Sequence, residues 1–96
     1  MAEAQFYLVY LKPARGRTLD EIAKQMNLAV DWYRIDPLVW VLYTTSDADK
    51  WTSRLAPFAK GEGDGYLLVC KLDISDRQGW MAEAFWKWLR REHKES

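Results

Sequence analysis

Carboxylates are the side chains of this chain best suited by type to chemistry. Asp73 and Asp76, and separately Glu62 and Asp64, form close pairs of the kind that holds hard cations such as magnesium or calcium. Neither pair has the spacing of a calcium loop. Both fall among Ser and Gly residues, where an acid ordinarily caps a turn and faces water. The only histidine, His93, lies beside Arg90, Arg91 and Lys94, with no nucleophile placed for a general base to serve. Gly61-Glu62-Gly63-Asp64-Gly65 has the glycine content of a phosphate-cradling loop. Such loops lead from a strand into a helix whose amides face the anion, whereas this one leads from a helix into a strand and carries two carboxylates. It reads as a flexible connection. The one cysteine, Cys70, has no CxxC spacing and sits in the apolar run 66–72, so it reads as a small buried hydrophobe. No catalytic residue, no metal ligand and no cofactor is assigned.

Two groups of cations could meet phosphate. Lys12, Arg15 and Arg17 surround a loop containing Pro13 and Gly16, and Lys87, Arg90 and Arg91 share the last helical segment with Lys94. Each group is a candidate nucleic-acid contact, and pairing of two copies would double it. The background is neutral: fourteen Lys plus Arg balance fourteen Asp plus Glu, and Glu83, Glu92 and Glu95 interleave with the second group. No global field therefore draws the chain to nucleic acid or to an anionic membrane.

Six tryptophans in 96 residues need an account. Trp40, Trp51 and Trp88 fall on apolar faces of their segments. Trp32, Trp80 and Trp86 are hard to bury together in so small a core, which makes them candidates for a protein interface.

These residues must be carried by regular elements. Phe6-Tyr7-Leu8-Val9-Tyr10-Leu11 and Leu38-Val39-Trp40-Val41-Leu42-Tyr43 are apolar in both side-chain registers, as strands covered on both faces are. Thr18-Leu19-Asp20-Glu21 has the capping-box spacing and predicts a helix with Leu19, Ile22, Ala23 and Met26 on its apolar face, ending near Asn27 or Leu28. Trp32-Tyr33-Arg34-Ile35 suits an edge strand, and Asp36-Pro37 a tight turn. Ser46, Asp47 and Asp49 open a second helix with Ala48, Trp51, Leu55 and Phe58 inward, until Pro57 and the glycine-rich run release the chain. A fourth strand is expected over 66–74 and a terminal helix over 80–92 with Met81, Phe85, Trp88 and Leu89 on one face.

The order predicts an α+β fold. A β-α-β-β-α-β core over about residues 5–74, followed by the helix, is the ferredoxin-like sandwich: a four-stranded antiparallel sheet with the first and third strands central. At 96 residues one domain spanning 1–96 is expected. Both internal helices would lie on one face of that sheet. The other face would need the terminal helix, a second copy, or both. Met1-Ala2-Glu3-Ala4-Gln5 has no basic segment ahead of a long apolar stretch, and no apolar run reaches membrane-spanning length, so a soluble cytoplasmic protein with no membrane partner is expected.

The succession of Phe6-Tyr7-Leu8-Val9-Tyr10, Trp40-Val41-Leu42-Tyr43-Thr44, Tyr66-Leu67-Leu68-Val69 and Gly79-Trp80 before a Trp-rich helix resembles the small Cas2-like proteins of the SinR-like type. The resemblance covers about residues 5–89 and implies a dimeric ferredoxin-like fold linked to nucleic acid, as endonuclease or as structural adaptor. Metal-dependent members carry an acid at the end of the first strand. Here that stretch is Leu11-Lys12, and neither side chain can bind magnesium. The expectation is therefore a non-enzymatic homodimeric interaction or adaptor protein. The alternatives are a metal-dependent endonuclease with relocated acids, Asp73 or Asp36, and a small regulatory or inhibitor protein that docks on a larger partner through its Trp-rich surface.

Overall fold

The computed structural model describes residues 3–60 and 65–92. The elements run β1 (Gln5–Lys12), α1 (Leu19–Met26), β2 (Asp31–Asp36), β3 (Val39–Thr44), α2 (Ala48–Ala59), β4 (Tyr66–Lys71) and α3 (Glu83–Glu92). The strands form one sheet in the order β2-β3-β1-β4, with every neighbouring pair antiparallel, so the two doubly apolar strands are the central ones. No helix among the described residues is long and apolar enough to cross a membrane.

Local chemistry sets where the helices begin. Thr18 Oγ1 accepts from the Glu21 amide at 3.3 Å while the Glu21 carboxylate reaches back to the Thr18 amide, so both halves of the capping box form. Asp47 rather than Ser46 caps α2, accepting from the Lys50 amide at 2.9 Å. Helix α2 continues through Pro57 to Ala59 instead of ending there. A proline in the last turn forfeits one amide, and the turn still closes through Lys60 N–H donating to Ala56 O at 2.9 Å. Two glycines are required by geometry. Gly16 has φ of 88° in the β1–α1 loop, and a Cβ at Gly65 would lie 2.0 Å from the Ala59 carbonyl oxygen.

Helices α1 and α2 cover one face. There Tyr7, Val9 and Leu11 of β1 and Trp40 and Leu42 of β3 pack with Ile22, Met26, Trp51, Leu55 and Phe58. Trp51 is fully buried, and its indole Nε1–H donates to Thr44 Oγ1 at 3.0 Å, which supplies both buried polar groups with a partner. Leu19, expected inward, is 48% exposed, because an eight-residue helix presents only Ile22 and Met26 squarely to the sheet.

Helix α3 lies on the opposite face, against Phe6 and Val41 and beside Tyr33, Ile35 and Tyr43. The contacts are largely aromatic. Phe6 meets Trp88 edge-on at 5.9 Å between ring centroids, and Tyr33 meets Phe85 at 5.3 Å. Trp88 Nε1–H and Arg91 both donate to Asp31 Oδ2, at 2.9 and 2.8 Å, and so tie the helix to the β2 side of the sheet.

Candidate functional site

Alternation along the strands turns Leu8 and Tyr10 of β1 and Tyr66, Leu68 and Cys70 of β4 toward the α3 side of the sheet. Register makes them neighbours, with Leu8 opposite Cys70, Tyr10 opposite Leu68 and Lys12 opposite Tyr66. Helix α3 leaves Tyr66, Leu68 and Cys70 exposed, whereas Leu8 and Tyr10 are half-buried. A helix is about 10 Å across and strands lie about 4.8 Å apart, so one helix covers two strands of four. Anchored at Asp31, it covers β2, β3 and the start of β1 at Phe6. Strand β4 is left as an apolar strip in which Tyr66 is 59% and Leu68 54% exposed.

Trp80 and Met81 border this strip. Helix α3 starts at Glu83, three residues later than expected, with the Ala82 carbonyl accepting from the Phe85 amide. Trp80 is thus outside the helix and 100% exposed. Trp80, Met81 and Trp86 join Leu8, Val41 and Leu72 in lining an open apolar recess of about 350 Å³. A larger open recess of about 890 Å³ lies where β1 begins, between Gln5, Tyr43, Asp73, Ser75 and Arg91. Two of its charged groups are engaged: Asp73 accepts from Ser75, and Arg91 pairs with Asp31.

The other candidate residues are dispersed. Trp32 is half-buried at the margin of the α1–α2 core and donates its indole N–H to Asn27 Oδ1 at 2.9 Å, whereas Trp80 is wholly exposed. Trp86 is half-buried against Phe85. Cys70, expected inside, is exposed, because it lies on the half of the sheet face that α3 leaves open. Glu62, Asp64, His93, Lys94 and Glu95 lie outside the described residues. Asp36 accepts from the Leu38 amide at 3.3 Å in the β2–β3 turn. The Ser75 hydroxyl, and then its amide, donate to Asp73 and hold that carboxyl below its ordinary range, with Lys71 adding a smaller pull. Register separates the two acids: Asp36 lies level with Val39 and Tyr10, whereas Asp73 lies beyond the Tyr7–Lys71 pair. Among the described residues no three His, Cys, Asp or Glu side chains form a group able to hold a metal ion.

The basic residues form two groups, not one. Lys12, Arg15 and Arg17 are exposed where β1 ends, with Lys12 Nζ 5.8 Å from the centre of the Tyr66 ring and the Arg17 guanidinium 5.9 Å from that of Phe58. Arg91 is held at the end where β1 begins, since its partner Asp31 is level with Tyr43 and Phe6. The two ends are about 20 Å apart along the strands. Lys87 pairs with Glu83 at 3.7 Å, and Arg90 is exposed.

No family model, no curated protein and no solved structure matches this chain. The site therefore has to be interpreted from its own geometry.

Of the strip and its border, the sequence singled out Trp80 as a candidate contact and Cys70 as a buried hydrophobe, and it left the whole face opposite α1 and α2 in need of cover. A signal for the strip exists as well. Four strands need two helix widths on each face, and the sequence offers two helices for one face and only one for the other.

Proposed function

We propose that this chain is a cytoplasmic, non-enzymatic interaction or adaptor module, a homodimer of ferredoxin-like, Cas2-like type that touches nucleic acid through local basic patches. The element order β1-α1-β2-β3-α2-β4 supports the ferredoxin-like reading. The observation that carries the function is the uncovered apolar strip beside the wholly exposed Trp80. Contiguous apolar surface of this kind, rimmed by polar residues, marks contact with another macromolecule. Lys12, Arg15 and Arg17 flank one end of the strip and are the group best placed to meet phosphate oxygens.

The relocated-acid endonuclease draws no support from the positions of Asp36 and Asp73. Each is engaged in its own turn, at opposite ends of the sheet.

Two measurements test the proposal. Sedimentation at micromolar concentration is expected to give a dimer. Anisotropy with labelled DNA and RNA is expected to show binding at low salt that fades as salt rises and that weakens about tenfold when Lys12, Arg15 and Arg17 are all changed to Gln. Magnesium- or manganese-dependent cleavage lost in Asp73→Ala would replace the adaptor with a nuclease. A nucleic-acid-blind protein would leave only a protein partner.

A further inference from the structure

We propose that the apolar recess beside α3 binds a small organic cation, an alkylated ammonium compound with a hydrocarbon body, and that Trp80 closes on it. The inference goes beyond the adaptor reading and does not depend on it, since no residue of β4 lines the recess. Leu8, Ile35 and Val41, one from each of three strands, form its floor. Phe85, Trp86 and Leu89 of α3 form one wall, and the segment that joins β4 to α3, residues 72–81, forms the other. A volume of about 350 Å³ falls at the small end of small-molecule sites, which run from about 300 to 1,000 Å³. It suits a single ring or a short chain and is too small for a folded partner.

The recess exists because its outer wall is not a regular element. Side-chain bonds shape the segment: the Ser75 amide and hydroxyl donate to Asp73, and the Arg77 guanidinium donates to the Ile74 carbonyl at 2.8 Å. These bonds turn the chain locally and do not press it onto the sheet. Leu72 and Ile74 still pack against the α3 cluster, whereas Trp80 and Met81 at the far end of the segment are 100% and 38% exposed. A wholly exposed indole has no packing to lose when it moves over a ligand.

Three observations set the class of that ligand. The floor and the helix wall are uncharged, so the body of the ligand must be apolar. Two indoles line the site: Trp80, and the half-buried Trp86, which meets Phe85 edge-on at 5.4 Å between ring centroids. The face of an indole attracts a cation more strongly than that of any other side-chain ring. The third observation is charge. Asp73 and Asp76 both line the recess, against one cation, Arg77, whose guanidinium is engaged at Ile74. Ser75 holds the Asp73 carboxyl in its charged form, and Asp76 is exposed. An organic anion would meet two carboxylates, and a neutral ligand would gain nothing from either. An alkylated ammonium meets the carboxylates and the indole faces together. Its alkyl groups also weaken its hydration, so less water has to be stripped from it than from a bare ammonium.

The test uses the full chain with phenyltrimethylammonium, benzyl alcohol and benzoate as cationic, neutral and anionic probes of similar size, read from the indole N–H resonances of Trp80 and Trp86. Phenyltrimethylammonium is expected to shift both resonances saturably and to bind at least about tenfold more tightly than either of the others. Trp80→Ala and Asp76→Asn, on exposed positions, are each expected to weaken it about threefold to tenfold with unchanged circular dichroism, Trp86 serving as the reporter. Equal affinities for the three probes, or tighter binding of benzoate, overturn the cationic assignment. The absence of a saturable shift, or an affinity that both substitutions leave unchanged, overturns the site. The adaptor reading is judged separately, by sedimentation and by anisotropy with nucleic acid.

Discussion

The two faces of the sheet are built from the same kind of strand and finished differently. On one face two helices span four strands, and the core closes around Trp51, Leu55, Ile22 and Met26, each with no measurable exposure. On the other a single helix packs on β2, β3 and the start of β1 and leaves β4 uncovered. Phe85 and Trp88 are buried there, yet Leu68 and Tyr66 on the neighbouring strand are not. The strands alone do not decide which side is core. The number of helix widths laid over them does, and the surplus apolar surface marks where this chain has something left to bind.

Truncation on the two faces tests the contrast. Trp51→Ala should have the largest effect, about 4 kcal/mol of unfolding free energy in urea, because it empties a closed core and strips Thr44 Oγ1 of the indole donor. Phe85→Ala should cost less, about 2–3 kcal/mol, since water can enter from the open half of that face. Equal losses would mean that the α3 side is as closed as the other. Trp80→Ala should be the smallest, within about 0.5 kcal/mol at concentrations low enough to keep the chain monomeric. A larger loss would mean that this indole packs within its own chain.

Much of the architecture was legible because it rests on local chemistry. The Thr18–Glu21 capping box forms as its spacing predicts, and the doubly apolar runs at Phe6 and Val39 become the two central strands. Cys70 was read as buried and is exposed, because alternation tells which side of a strand a residue faces but not how far a helix extends over that side. The fourth strand stops at Lys71, short of 74, because Asp73 caps a turn with Ser75, a choice made by one side-chain acceptor against weak strand propensity. Trp80 falls outside α3 for a similar local reason, the turn closing on the Ala82 carbonyl. The strip's membership depends on where α3 is anchored, and that is set by Asp31, some sixty residues earlier in the chain.

The central place of β1 also bears on how the chain folds. Its one edge pairs with β3 at residues 39–44 and its other with β4 at residues 66–71, so the first strand made waits for the last strand before both edges are satisfied. Contacts so distant in sequence are closed late and slow folding relative to locally paired folds. During synthesis β1 emerges with an apolar side chain at nearly every position and only the β2–β3 hairpin to shield it. A chain halted shortly after α2 would therefore keep one edge of β1 exposed, and this is the stage at which non-native strand pairing competes most strongly with completion of the sheet.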